Sequence, residues 1–139
     1  MTAPARLVVV DASAIVALLT AEARVADWVA HLCRGATLAA PELMMFEVAN
    51  VLRRHELAGL LDATSARLAH QDLLDLAVQR WPYPALADRA WKLRATLTVY
   101  DAAYAALAEL LDAPLVTLDA RISRATGPRC NILTYTSPD

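Results

Sequence analysis

The sequence predicts a three-layer α/β/α sandwich around a short, mostly parallel central sheet. Two observations carry most of this. Leu7-Val8-Val9-Val10 and Leu115-Val116-Thr117-Leu118 are continuous apolar runs rich in β-branched residues. Such runs mark strands covered on both faces, as parallel strands are. The segments between strand candidates have helical spacing, and strands alternating with helices build a parallel sheet with helices on its faces. Length sets the third bound: 139 residues with only 3 Gly suit one core and leave little flexible loop, so a single domain over 1–139 is expected.

Each element follows from local chemistry. After the strand at 7–10, residues 12–19 have helical composition. A second helix over 22–32 carries Val25, Trp28, Val29 and Leu32 at helical spacing and stops before Gly35. Residues 37–40 form a short strand. Pro41 is then expected in the first turn of a long helix to about 57, which Gly59 ends. Asp62 caps the next helix, running to about 76. Residues 78–81 read as an edge strand, since prolines at 82 and 84 are tolerated at a sheet edge. A helix is expected over 85–97, a turn or strand end over 98–100, and an Ala-rich helix over 101–111. The strand at 115–118, a short helix over 119–125 and a last strand over 131–134 complete the chain.

Composition narrows the function classes. The chain is 58% hydrophobic, more than a domain of this size can bury, so apolar surface committed to a partner or a second copy is expected. Alanine, which can sit anywhere on a helix, also inflates that figure. A net charge of -2 does not announce a nucleic-acid binder, so any RNA contact must be local or carried by metal. Of the 13 basic residues only Lys92 is a lysine. Cys33 and Cys130 have neither CxxC spacing nor a histidine cluster beside them, which fits a reducing cytoplasm better than a disulfide or zinc framework. No apolar run approaches the roughly 20 residues of a membrane span, and none follows a basic start as in a signal peptide.

The acids fall where such a sheet binds ligands, beyond the carboxyl ends of its strands. Asp11 directly follows 8–10, and Asp119 directly follows 115–118. Asp101 is expected to open the Ala-rich helix. Glu47 lies in Met44-Met45-Phe46-Glu47-Val48-Ala49, an apolar stretch where a carboxylate is costly without a partner. Each Asp taken alone reads equally as a helix cap, and Glu47 as a surface residue on a stripe with Arg54 and Glu56. Converging carboxylates stay ionised together only around a cation, and oxygen-only ligands select magnesium or manganese over zinc. Such a site activates water for attack on a phosphodiester. No Gly-rich phosphate loop or GxSxG elbow competes, and His31, His55 and His70 lie in unrelated helical contexts.

The block Val8-Val9-Val10-Asp11-Ala12-Ser13-Ala14 resembles the opening of PIN domains. Phe46-Glu47-Val48-Ala49-Asn50-Val51-Leu52 resembles their glutamate helix, Tyr100-Asp101-Ala102-Ala103-Tyr104 their third acidic motif, and Leu115-Val116-Thr117-Leu118-Asp119 their fourth. Each motif alone is weak, but the ordered set of four, spanning nearly the whole chain, is specific. Size and composition are similar to VapC-like toxins of toxin–antitoxin modules. The resemblance implies a ribonuclease that leaves a 5′-phosphate and a 3′-hydroxyl, with Asp11, Glu47, Asp101 and Asp119 holding magnesium or manganese. It implies that the hydroxyls of Ser13 and Thr117 support those acids, and that Asn50, one turn after Glu47, faces the same cavity. It also implies a cognate antitoxin that blocks the site, and a homodimer. Arg53, Arg54, Arg121 and Arg124, with Arg129, lie near the motifs and are candidate contacts for RNA phosphates; solubilising charge is the plainer reading.

Two other classes bear on the same residues. In a phosphoryl-transfer enzyme or receiver domain Asp11 would accept phosphate. The dehalogenase-type pattern needs a second Asp where Ser13 stands, and a receiver needs a late strand-end lysine, which Lys92 is not. A non-catalytic PIN-like module would keep the fold and bind without cutting.

Overall fold

The computed structural model describes residues 6–20 and 23–136. Five strands form one sheet in the order β3-β2-β1-β4-β5, with β1 at Arg6–Val10, β2 at Ala36–Pro41, β3 at Val78–Trp81, β4 at Leu115–Thr117 and β5 at Ile132–Thr134. Every pairing between described strands is parallel, so the sheet is wholly rather than mostly parallel. Val8, Val9, Val10, Leu115 and Val116 are all buried, as their unbroken apolar runs require.

Seven helices are described: α1 Ala12–Thr20, α2 Ala23–Cys33, α3 Leu43–Leu57, α4 Ala63–Asp75, α5 Ala87–Lys92, α6 Val99–Leu111 and α7 Ala120–Arg124. The chain steps outward from β1 to β2 to β3, then returns across the sheet to β4 on the far side of β1. Parallel crossovers are right-handed, so this reversal puts α1 to α4 on one face and α5 to α7 on the other. The contacts agree: α1 packs on α2, α3 and α4, whereas α6 packs on α5 and lies against β1, β2 and β4. The direction of winding switches between β1 and β4, which opens a crevice where their carboxyl ends separate.

Three boundaries differ from the sequence reading, each for a physical reason. Pro41 does not open α3. It ends β2 opposite Trp81, and the Glu42 N–H donates to the Trp81 carbonyl (2.9 Å), so the helix starts at Leu43. The helix expected over 85–97 is a 3-10 turn at Tyr83–Ala85, the six residues of α5, and looser turns up to Leu97. Residues 98–100 belong to α6: Thr98 is its cap, and its hydroxyl accepts from the Asp101 N–H (3.1 Å). Asp101 is therefore the third helical residue, not the first. Glu22, expected in the second helix, lies outside the described residues. Asp62 does cap α4, its carboxylate accepting from the Ser65 N–H (2.6 Å). No helix of the described residues is long and apolar enough to cross a membrane.

Candidate active site

The carboxyl ends of β1 and β4 are tied together through Asp11. Its own N–H donates to the Val116 carbonyl (3.1 Å), which extends the β1–β4 pairing by one residue. Its carboxylate is buried, 4% exposed, and accepts from three donors. The Ser13 hydroxyl (2.6 Å) and the Ala14 N–H (3.0 Å) meet Oδ1, and the Thr117 hydroxyl meets Oδ2 (2.5 Å). Both hydroxyls are themselves oriented from β4. Ser13 Oγ accepts from the Leu118 N–H (2.9 Å), and Thr117 Oγ1 accepts from the Asp119 N–H (2.9 Å). Two chains of the form amide–hydroxyl–carboxylate thus run from the end of β4 to the two oxygens of Asp11. The chemistry of Thr117 explains its place. It is wholly buried on the last residue of β4, two residues before Asp119 and hence on the same side of the chain.

Glu47 and Asp101 approach from opposite faces of the sheet. Glu47 lies in the second turn of α3, half-buried, and its Oε1 accepts from the Tyr104 hydroxyl of α6 (2.6 Å). Tyr104 is 1% exposed and stands three residues after Asp101, so both side chains leave the same face of α6. The phenol is a site residue the sequence reading missed. Its signal was that spacing from Asp101, hidden because an aromatic in an Ala-rich helix reads as core.

Electrostatics joins the four acids into a closed ring. The charge of Asp119 acts on Asp11 and on Asp101, that of Asp101 on Glu47, and that of Asp11 on Glu47. Burial pushes the carboxyls of Asp11, Glu47 and Asp101 above their ordinary values, and these like charges push the same way. The hydroxyls of Ser13 and Thr117 on Asp11, Tyr104 on Glu47 and Thr98 on Asp101 oppose the rise without cancelling it. Asp119 goes the other way. Arg121 holds it low through a two-pronged ion pair (Nη2–Oδ2 2.6 Å, Nε–Oδ1 3.1 Å), and Asp119 Oδ1 also caps α7 by accepting from the Arg121 N–H (2.9 Å).

The other sequence candidates separate. Arg124 adds its field at Asp119. Arg54 is exposed, seven residues after Glu47 and so on the same side of α3 two turns on. Arg53 instead lines a groove between α3 and α4 with Arg67 and His70. Asn50 is exposed and lies outside the hydrogen-bonded set.

The donor chemistry of the set fits a hard divalent cation: the four acids offer carboxylate oxygens, and three of the four are destabilised as anions. Among the described residues, however, no three acidic, histidine or cysteine side chains converge closely enough to grip one ion as they stand. The Asp119 carboxylate is instead engaged by Arg121.

A family model described as PIN domain matches residues 8–128. The chain is 40% identical over 126 residues to VapC ribonuclease Mb0985 of Mycobacterium bovis, a match covering 91% of this chain and 96% of that protein. Among solved structures, PAE2754 from Pyrobaculum aerophilum is similar at a TM-score of 0.66 and 29% identity, covering 91% of this chain and 83% of that one. VapBC2 from Rickettsia felis, bound to a DNA fragment from its promoter, shares the fold at a TM-score of 0.67 and 12% identity, covering 94% and 99%.

Proposed function

The chain belongs to the PIN-domain family, within its VapC ribonuclease group, and from that membership we propose that it is a metal-dependent endoribonuclease toxin. The observation that carries the reading is the ring of Asp11, Glu47, Asp101 and Asp119 at the winding switch of the sheet. In this proposal the four acids would hold magnesium or manganese, which when bound would lower the pKa of a water and offset charge on the phosphodiester. The water oxygen bonds to phosphorus, the bond from phosphorus to the 3′ oxygen breaks, and that oxygen leaves with a proton.

The chain's own residues set the geometry. Three donors fix Asp11 so that it cannot rotate away when a charged substrate arrives. Tyr104 fixes one oxygen of Glu47 and leaves the other free for the reacting centre. Arg121 holds Asp119 through their ion pair; it is exposed, and we assign it to a substrate phosphate, for which the Asp119 carboxylate would have to release it. Arg124 and Arg54 extend that basic border, while Arg53, in the groove between α3 and α4, lies outside it. A VapBC structure shares the fold, which supports an antitoxin partner seated over the site, and a cytoplasmic homodimer fits the exposed leucines Leu57, Leu60 and Leu68.

The test is cleavage of a structured RNA pool by antitoxin-free protein in magnesium, in manganese and in EDTA, beside Asp101→Asn. Cuts at discrete sites that require metal and vanish in the variant are expected. Tight metal binding without cleavage of any RNA offered would instead favour a non-catalytic module.

A further inference from the structure

Beside the acidic ring lies a cavity of about 250 Å³ that the chemistry above does not use. It opens at the carboxyl ends of β2 and β3, between Phe46, Trp81, Tyr83 and Ala103, with Glu42 on its border. Its position is fixed by chain neighbours. Phe46 precedes Glu47 on α3, and Ala103 precedes Tyr104 on α6, so the chain neighbours of both partners in the Glu47–Tyr104 hydrogen bond line the cavity. Phe46 is 80% exposed, an unusual cost for the aromatic residue next to a candidate catalytic acid. Tyr83 at its side is 45% exposed. On the far side of Phe46 a second depression carries the exposed Arg80, and Glu42 borders both.

We infer that this cavity is a base-binding pocket, taking one unstacked base of single-stranded RNA next to the cut and favouring guanine over uracil; this rests on the ribonuclease reading. Size selects a single base. The cavity falls below the roughly 300 Å³ at which drug-sized ligand pockets begin, so it admits a flat ring system and little more. Chemistry selects an aromatic occupant, because rings that stand exposed at a single-stranded nucleic-acid site stack on bases. The carboxylate of Glu42 is acceptor-only when ionised, and guanine alone presents two adjacent donors, its ring N–H and its amino group, to a carboxylate's two oxygens. Uracil offers one N–H between two carbonyls that would repel it. Arg80, across Phe46, is placed for the phosphate that follows.

The test reads binding rather than cleavage. The full chain in EDTA is titrated with the trinucleotides UGU and UUU, following quenching of Trp81 fluorescence, with Trp81→Phe as the control for signal origin. UGU should bind about tenfold more tightly than UUU. Phe46→Ala, and separately Tyr83→Ala, should each weaken UGU about tenfold, the effect of losing one stacking surface. Glu42→Gln should erase the difference between the two. Equal affinities for both, no binding of either, or no effect of Phe46→Ala and Tyr83→Ala would overturn the inference. So would a change of oligomeric state on Phe46→Ala, which would make the face a protein contact. Failure to cut RNA in magnesium is a separate result, since no cleavage enters this measurement.

Discussion

Replacing Thr117 with valine tests whether the hydroxyl on the last residue of β4 carries the charge of Asp11. The substitution keeps shape and volume at a wholly buried position, so no cavity forms. It removes one donor to Asp11 Oδ2 and one acceptor for the Asp119 N–H. A hydrogen bond to a charged group is worth about 1.5–3 kcal/mol, and more is lost when the charge stays buried. The Asp119 amide lies at the half-buried edge, where water can replace the lost acceptor. In EDTA at pH 7 the loss should therefore be about 2–3 kcal/mol, roughly a 10 °C lower unfolding midpoint for a chain of this length.

The sign of its pH dependence makes the prediction sharp. The Thr117 hydroxyl pulls the Asp11 carboxyl down against burial. Valine lets the folded value rise further, while the unfolded value is unchanged. The penalty is therefore complete above the variant's folded value, shrinks as pH falls from there towards the wild-type folded value, and is least where both proteins have taken up the proton. Thermal or urea unfolding of the two proteins from pH 8 down to pH 4 measures this. An equal penalty at both ends would refute the argument, because the hydroxyl would then be serving neutral packing rather than the carboxylate. Thr117→Ser, which restores the donor, should recover most of the loss.

Tyr104→Phe removes the donor to Glu47 while its ring stays buried. We expect kcat to fall about tenfold with KM for RNA unchanged and the fold intact, since a charge-assisted hydrogen bond of about 1.4 kcal/mol is a tenfold effect; an unchanged kcat would leave the phenol a packing residue. Arg121→Ala frees Asp119 from its ion pair, so calorimetry should show magnesium binding more tightly and RNA more weakly, with a shallower salt dependence. Unchanged RNA affinity and salt slope would remove Arg121 from the RNA interface. Because folding raises the carboxyls of Asp11, Glu47 and Asp101, the native metal-free protein holds protons that the unfolded chain has released. Those three acids therefore cost stability as pH rises through their folded values, and magnesium should restore it. Cleavage at limiting magnesium should fall on acidification from above the ordinary carboxylate range; a rate that falls only near pH 4 would mean that the three acids are not raised in the working protein.

How much of this was legible in the sequence depends on which force places each residue. Asp11 and Asp119 were legible because an acid directly after an unbroken apolar strand falls at its carboxyl end, the end at which such sheets bind ligands. Asp101 was found as an acid but placed first in its helix rather than third. Thr98 takes the cap, and the distinction between a cap and a third-position residue depends on backbone angles that composition does not encode. Asn50 and Tyr104 were subject to the same spacing argument with opposite outcomes. Tyr104, three residues from Asp101, lies on a helix buried nearly all round, so its face is decided. Asn50, three residues from Glu47, lies on a helix with one exposed side, where a displacement of about 60° from the acid is enough to turn a side chain into solvent. Pro41 was misread because a strand-end proline and a first-turn proline share one φ, and the choice rested on Trp81, forty residues away.

The apolar surplus bears on the same question. Part of it is surface, at Phe46, Leu57, Leu60 and Tyr100, but much of it is alanine placed deliberately in the core. Ala102, Ala103, Ala105, Ala106 and Ala108 of α6 are all buried, as are Ala39 and Ala40 of β2, on which α6 lies. Small side chains on both sides let the helix settle close to the sheet, since a close-packed interior admits no gap between them. That closeness is what lets Tyr104, on one face of the sheet, reach over its carboxyl edge to Glu47 on the other. The Ala-rich stretch and the acid ring are therefore one feature: larger residues would lift α6, carry Asp101 and Tyr104 away, and open the ring without touching an acid.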